Sequence, residues 1–251
     1  MKKIIMPVVI VLILAIVFTT IFFIARVNKM KEYKNNIKLS EGFTITAHTG
    51  CMNTEENSLD SIKMGVENGA DIVEFDLYFN NQGVAVLSHD EPKGDEVTLK
   101  EAFEYVSRFE NIKVNVDAKT TDDLAQVYTF AQEYNIVDRV FFTGINEEDA
   151  KVAQRDCPQI SYFLNVDVDK RRNTDREYLL SLVEKVKNTG AIGINFNYKS
   201  ASKELVEIFH ENGLLVSIWT VDDKYNMCKI LSFVPDNITT RHPDKLSEII
   251  K

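Results

Sequence analysis

Short β-rich runs alternate with longer amphipathic helical patterns from residue 43 to the end of the chain. Apolar and polar residues in alternation are typical of a strand with two different faces, and apolar residues three or four positions apart are typical of a helix. The strand candidates lie at 44–48, 71–77, 113–119, 139–143, 160–165, 192–197, 215–220 and 237–240. A further run at 84–90 follows a turn signal, so it is predicted to pair back on the second strand as a hairpin.

Eight strands that alternate with helices predict an α/β fold, a (β/α)8 TIM barrel. A doubly wound open sheet is the main alternative. No glycine-rich nucleotide-binding motif follows a strand, so the nucleotide-binding versions of that fold lose their support. A half-exposed antiparallel sheet would also explain polar residues on one strand face, but the intervening helices disfavour it.

The N-terminal segment differs from the rest of the chain. Ile4 to Ala25 is a run of 22 residues without a charge, and as a helix it would be roughly 33 Å long, enough for a bilayer core of about 30 Å. We expect a transmembrane anchor at 1–26, a polar linker at 27–42 and the barrel at 43–251. A cleaved signal peptide is the alternative, although the apolar run is long for one and no clear cleavage site follows it.

The membrane side is less well defined. Lysine and arginine counting nominally leaves the barrel in the cytoplasm, but a short basic N-terminus before a long apolar run is more typical of export. We therefore expect a membrane-anchored barrel outside the cytoplasm.

Charge and cysteine content exclude several function classes. The net charge is −9, of which residues 1–34 carry +5 and the remaining 217 residues −14. So acidic a body repels phosphate backbones, which excludes nucleic acid as a partner. Three cysteines that are far apart in the sequence provide neither a disulfide framework nor zinc-ligand spacing.

The polar faces of the predicted strands carry a candidate metal site. Glu74 and Asp76 share one face of the second strand, and Asp117 lies on the polar face of the next parallel strand. Polar groups at the C-terminal ends of barrel strands normally build the active site. Crowded carboxylates repel one another unless a cation or a shared proton offsets their charge. Oxygen-only ligation favours Mg²⁺ or Ca²⁺, so we expect one of these divalent cations as cofactor.

Four further residues are candidates for chemistry near this site. His48 ends the first strand and His89 follows the second, so the pair is suited to general base and general acid. Lys119 is placed to bind a phosphate or an oxyanion. Trp219, the only tryptophan, is either barrel filler or the apolar wall of a substrate cleft. His210, within a helix, and His242 are interpreted as structural.

The order of short motifs resembles the glycerophosphodiester phosphodiesterases, relatives of the phosphatidylinositol-specific phospholipase C barrels. The motifs are H-x-G at 48–50, E-N-S at 56–58, E-x-D at 74–76, H-D at 89–90, D-x-K at 117–119, W-T-V at 219–221 and TRHPD at 240–244. No single motif is decisive, but the ordered set is specific.

The resemblance implies a metal-dependent hydrolase that converts glycerol phosphodiesters, or related phospholipid-derived substrates, to glycerol 3-phosphate and an alcohol. On this basis His48 and His89 match the catalytic histidines, and Glu74 and Asp76 match metal ligands. Residues that match the substrate side of the site are Lys119, Trp219, Glu56 and Asn57.

Two positions depart from the family pattern. Thr49 stands where the family usually has an arginine that contacts phosphate, and Asp117 stands where it usually has glutamate. Weaker substrate binding is expected from the first departure, with Thr49→Arg lowering KM if the pocket has room. The alternatives are a barrel that binds a ligand without hydrolysis, a phospholipase or lyase on intact lipid, and a cysteine hydrolase built on Cys51, the least supported of the three.

Overall fold

The computed structural model describes the backbone of residues 2–251 and the side chains of residue 12 and residues 14–251. Within these residues, eight parallel strands close into a barrel, as the sequence predicts. A ninth strand, β3, lies outside the barrel. The strands are β1 Thr44–Ala47, β2 Ile72–Phe79, β3 Ala85–Leu87, β4 Lys113–Ala118, β5 Val140–Ile145, β6 Ser161–Asn165, β7 Gly193–Asn197, β8 Leu215–Trp219 and β9 Asn237–Thr240.

The barrel closes through β1, which pairs in parallel with β9 on one side and β2 on the other. β3 is antiparallel to β2, with Leu77 opposite Leu87. The hairpin predicted at 84–90 is therefore confirmed, and the open-sheet alternative is excluded by the closure.

Helices follow the barrel strands and pack on their outer faces. They are α2 Leu59–Glu67, α3 Leu99–Ser107, α4 Ala125–Glu133, α5 Glu147–Asp156, α6 Arg176–Asn188, α7 Lys203–Glu211, α8 Lys224–Leu231 and α9 Pro243–Ile250. Local sequence sets several of their first turns, because an N-terminal side chain accepts a hydrogen bond from a free backbone N–H. Ser58 does so for α2 and Asp175 for α6, and Thr98 forms a capping box with Glu101 at α3.

Alternation along β2 separates the outer core from the barrel interior. Val73, Phe75 and Leu77 are almost fully buried in the outer core. Glu74 and Asp76 are buried as well, at 6% and 3% exposure, but on the opposite face. Successive side chains of a strand point to opposite faces. Because the apolar residues of β2 pack against the outer helices, its two carboxylates point into the barrel.

The N-terminal helix, α1, spans Lys2–Asn35 and extends through residues 27–35, where the sequence predicts a linker. That part of the prediction is wrong: residues 27–35 contain neither glycine nor proline, and Lys29 pairs with Glu32 one turn later. This end of α1 packs on α8. Arg26 lies 4.2 Å from the centre of the Tyr225 ring, and the Tyr33 ring meets the same ring edge-on at 5.8 Å.

The predicted membrane anchor at 1–26 is not supported by the described part of the chain. Within it, no helix combines the length and the apolar character that crossing a membrane requires. Residues 1–11 and 13, which belong to the predicted anchor, lie outside the described side chains. The barrel boundary at 43 and the membrane side of the barrel stay predictions.

Candidate active site

A cavity of about 510 Å³ opens at the C-terminal ends of the barrel strands. Each predicted site residue except Asn57 lies on its wall. The lining residues are His48, Thr49, Glu56, Glu74, Asp76, His89, Asn115, Asp117, Lys119, Thr143, Asn165, Asn195, Trp219, Thr220, Thr239 and Arg241.

Three carboxylates meet on one wall of this cavity. Asp76 on β2 lies beside Asp117 on β4 in the parallel register, and Glu74 is two residues earlier on β2. One oxygen from each of the three residues lies within 4.8 Å of the other two. Burial, followed by repulsion from Asp76 and Asp117, raises the pKa of Glu74 well above its usual range. The cluster therefore concentrates negative charge that nearby positive charge has to offset.

Lys119 supplies part of that positive charge. It follows β4, and its Nζ lies 2.9 Å from Oδ1 of Asp76 and also contacts Asp117. Burial alone would lower the pKa of Lys119, but the carboxylates of Asp117 and Asp76 raise it above its ordinary value. Lys119 is therefore a fixed positive charge that is engaged with two of the three acidic residues.

Asn57 lies behind the carboxylates and holds Asp76. Its Nδ2 donates to Oδ2 of Asp76 at 2.9 Å, and its Oδ1 accepts from the Asp76 N–H at 2.9 Å. The structure therefore gives Asn57 a contact with a candidate metal ligand, whereas the sequence places it among substrate-binding residues.

Thr49 in turn holds Asn57 and Glu74. Its hydroxyl accepts from the Asn57 N–H at 2.5 Å, and its own N–H donates to Oε2 of Glu74 at 2.8 Å. Thr49 is 1% exposed. The side chain that replaces the family's arginine is thus part of the scaffold beneath the carboxylates.

His48 is oriented so that one ring nitrogen stays available. Its Nδ1 lies 2.8 Å from the Thr49 carbonyl oxygen, and because a carbonyl only accepts, Nδ1 must carry the proton. Burial, reinforced by the charge of Arg241, lowers the pKa of His48, although the bond to Thr49 opposes that shift. The neutral ring therefore has an unprotonated Nε2, as a general base requires.

His89 occupies the opposite environment, at the mouth of the cavity. Its side chain is 62% exposed, and its Nδ1 lies 3.1 Å from Oδ1 of Asp90. A neighbouring carboxylate orients an imidazole ring through a hydrogen bond. The two histidines thus sit in environments that suit different proton-transfer roles, which the sequence alone did not distinguish.

Two more predicted residues lie on the wall of the cavity. Trp219 ends β8, and its buried Nε1 has no hydrogen-bond partner among the described residues. Glu56 lies 3.5 Å from the guanidinium of Arg241. Trp219 therefore borders the cavity rather than filling the barrel core.

The carboxylate cluster fits a divalent cation. It offers oxygen donors only, which suits Mg²⁺ or Ca²⁺, and the charge on Glu74 is unfavourable as the residues stand. Asn57 and Thr49 supply the outer hydrogen bonds that orient metal ligands in proteins. Glu74, Asp76 and Asp117 are the residues that would hold the cation.

Comparison with known families identifies the family of the chain. The model of the glycerophosphoryl diester phosphodiesterase family matches residues 46–126 and 92–245. The chain belongs to the glycerophosphoryl diester phosphodiesterase family. It is an enzyme of the phosphoric diester hydrolase class, and the resemblance drawn from the ordered motifs is confirmed.

Individual relatives agree with the family. A glycerophosphodiester phosphodiesterase from Caldanaerobacter subterraneus is 24% identical over 249 residues, which cover 82% of this chain and 97% of the relative. A solved glycerophosphodiester phosphodiesterase from Parabacteroides distasonis has a TM-score of 0.69 at 21% identity, over 83% of this chain and 97% of that one. An Oleispira antarctica phosphodiesterase, solved with its product sn-glycerol-3-phosphate, has a TM-score of 0.66 at 18% identity, over 87% and 98%.

Several residues that line the cavity are assigned no role from the sequence. Asn115, Thr143, Asn165 and Asn195 come from four neighbouring strands. Two of them, Asn115 and Asn195, share the predicted polar faces, so their strand parity was the available signal. Arg241 follows β9 within the TRHPD motif, and its position directly after a barrel strand is the sequence signal that could have identified it.

Proposed function

We propose that the protein hydrolyses glycerophosphodiesters to glycerol 3-phosphate and an alcohol, with a divalent cation held by Glu74, Asp76 and Asp117. The observation that carries the proposal is the cluster of three carboxylates, which shares one cavity with His48 and Lys119 in a member of this family.

The histidines would move the protons of the reaction. His48 Nε2 accepts a proton from the water molecule that attacks phosphorus. Nε2 is free for this role because Nδ1 donates its proton to the Thr49 carbonyl oxygen. His89 donates a proton to the oxygen of the departing alcohol from its exposed position at the mouth. Positioned proton transfer of this kind contributes about 10²–10⁴ in rate.

The remaining groups would bind and orient the substrate. When bound, the cation would draw charge from the phosphoryl oxygens. Asn57 and Thr49 keep Asp76 and Glu74 in place, and Lys119 limits repulsion between the acidic cluster and an incoming phosphodiester. The Trp219 ring borders the cavity as an apolar wall for the glycerol or the alcohol.

The test is an assay of the full chain in detergent for release of glycerol 3-phosphate. Glycerophosphocholine and glycerophosphoethanolamine are the substrates, with Mg²⁺, Ca²⁺ or a chelator. We expect metal-dependent turnover that Asp76→Ala abolishes and that His48→Ala lowers by about 10²–10⁴. His210→Ala is the matched control, because this histidine pairs with Asp236 and does not line the cavity.

The assay also separates the alternatives. Turnover of lysolipid or intact phospholipid in place of glycerophosphodiesters would indicate a phospholipase. Metal and glycerol 3-phosphate binding without turnover of any substrate would indicate a barrel that binds without hydrolysis. An equal loss of activity in His48→Ala and His210→Ala would contradict the proposed role of His48.

A further inference from the structure

The cavity has an excess of negative charge for a site that must accept an anion. Glu74, Asp76 and Asp117 form one wall, and Glu56 lies on another. A bound divalent cation would offset only two of these four negative charges. A phosphodiester therefore needs a cationic side chain that is free to face it.

Lys119 does not meet that need by itself. Its ammonium contacts both Asp76 and Asp117, so its donors point toward the carboxylates. Thr49 is also engaged, because its hydroxyl accepts the Asn57 N–H. Among the described residues that line the cavity, Arg241 is the other permanently charged cation.

Arg241 has a fixed backbone and a loosely held guanidinium. Its N–H donates to Oδ1 of Asp222 at 2.8 Å, and its carbonyl accepts from the Met52 N–H at 3.0 Å. By contrast, the guanidinium lies 3.4 Å from Asp222 and 3.5 Å from Glu56. These long contacts occupy few of its five donors, and the side chain is 38% exposed.

Arg241 and the proposed general base, His48, line the same cavity. A guanidinium on the wall of this cavity can present two parallel donors to phosphoryl oxygens.

We propose that Arg241 binds the phosphate group of the substrate in this cavity. The inference rests on the proposed function for the identity of that substrate. Asp222 and Glu56 position the guanidinium before the anion binds, and it turns from these long contacts to the phosphate on binding.

Steady-state kinetics of the full chain provide the first test. Arg241→Gln removes the charge, Arg241→Lys keeps a single point charge, and Arg108→Gln removes an exposed arginine that pairs with Glu104 on α3. With saturating Mg²⁺ and glycerophosphocholine, we expect Arg241→Gln to raise KM by about tenfold or more and to change kcat far less. Arg241→Lys should lie between the parent and Arg241→Gln, and Arg108→Gln should match the parent.

Calorimetry provides a second test that needs no turnover. Inorganic phosphate, sn-glycerol 3-phosphate and glycerol are each titrated into the Mg²⁺-loaded parent and Arg241→Gln. We expect the variant to bind both anions about tenfold more weakly and glycerol equally well. This pattern separates phosphate binding from a general loss of structure.

The two tests fail in different ways. If the parent shows no hydrolysis, the proposed function fails, and the calorimetry still decides the role of Arg241. If Arg241→Gln binds both anions as tightly as the parent, the inference is overturned, whatever the kinetics show. A loss of kcat with unchanged anion affinity would likewise overturn it and would assign Arg241 to positioning Glu56 or Asp222.

Discussion

At the residue scale, Thr49 links two of the three carboxylates, through its hydroxyl on one side and its backbone N–H on the other. The hydroxyl accepts the Asn57 N–H, and the Asn57 side chain makes two hydrogen bonds to Asp76, while the Thr49 N–H donates to Glu74. A short polar side chain that is 1% exposed is therefore needed at this position. An arginine there would have to displace Asn57 or strain the turn after β1.

Substitutions at Thr49 test this arrangement. Thr49→Ser keeps the hydroxyl and should behave as the parent. Thr49→Val leaves the Asn57 N–H without its acceptor, which costs about 1–3 kcal/mol of stability, and should lower kcat/KM through a misplaced Asp76. Thr49→Arg should lower kcat/KM further, contrary to the expectation from sequence that it improves KM. Thermal melting and steady-state kinetics measure both effects, and an active, stable Thr49→Arg would refute this interpretation.

Asn57 allows the outer hydrogen bonds to be tested separately from the carboxylates. Asn57→Ala removes the Nδ2 and Oδ1 contacts with Asp76, and such outer partners typically change metal affinity by about 10–100-fold. We expect weaker Mg²⁺ binding by calorimetry with an unchanged circular dichroism spectrum. Asn68→Ala, which removes a contact with the Met64 carbonyl in α2, is the control and should bind Mg²⁺ as the parent does.

At the element scale, strand alternation made most of the site predictable. The parity of β2 and β4 places Glu74, Asp76 and Asp117 on the interior face from the sequence pattern alone. The motif order could not show that Asn57 contacts Asp76, because that contact depends on how the segment after β1 turns back toward β2. Sequence reasoning missed Arg241 for the same reason. Its backbone is oriented by a hydrogen bond from its N–H to Asp222, in the segment that follows β8.

The helix α1 shows the limit of composition as a guide. Residues 27–35 are polar, which is typical of a linker, but polar residues without glycine or proline also form helices when a neighbouring surface is available. The neighbouring surface is α8, through Tyr225. A tertiary contact of this kind leaves no periodic signal in the segment itself.

The close approach of β7 and β8 gives an element-scale prediction. A Cβ on Gly193 would collide with the carbonyl of Leu215, its partner in the register. Gly193→Ala should therefore destabilise the barrel by about 1–3 kcal/mol or more, which lowers Tm by about 2–4 °C per kcal/mol for a chain of this size. Gly83→Ala meets no atom within 4 Å but has a φ of +74°, so its smaller loss isolates backbone strain. Equal melting temperatures for Gly193→Ala and the parent would contradict this pairing of the two strands.

At the scale of the whole molecule, the barrel and the first part of α1 have different surfaces. The barrel body carries −14 and buries its apolar residues among strands and helices. In contrast, large apolar side chains between Leu12 and Ile24 are exposed, Phe18 by 72%. An apolar surface of this extent on a water-exposed helix promotes association.

Removal of residues 1–25 tests whether the two parts are independent. Barrel closure uses β1 and β9, and the contacts of Arg26 and Tyr33 with Tyr225 remain in the shortened chain. We expect this chain to stay monomeric without detergent, to melt within a few degrees of the full chain and to bind Mg²⁺ with the same affinity. A chain that begins at residue 43 also loses the contacts on Tyr225 and should melt at a lower temperature, because an aromatic pair and a cation–π contact each contribute about 0.5–1.5 kcal/mol. Unfolding of the 26–251 chain, measured by circular dichroism and light scattering, would show instead that the exposed part of α1 supports the barrel.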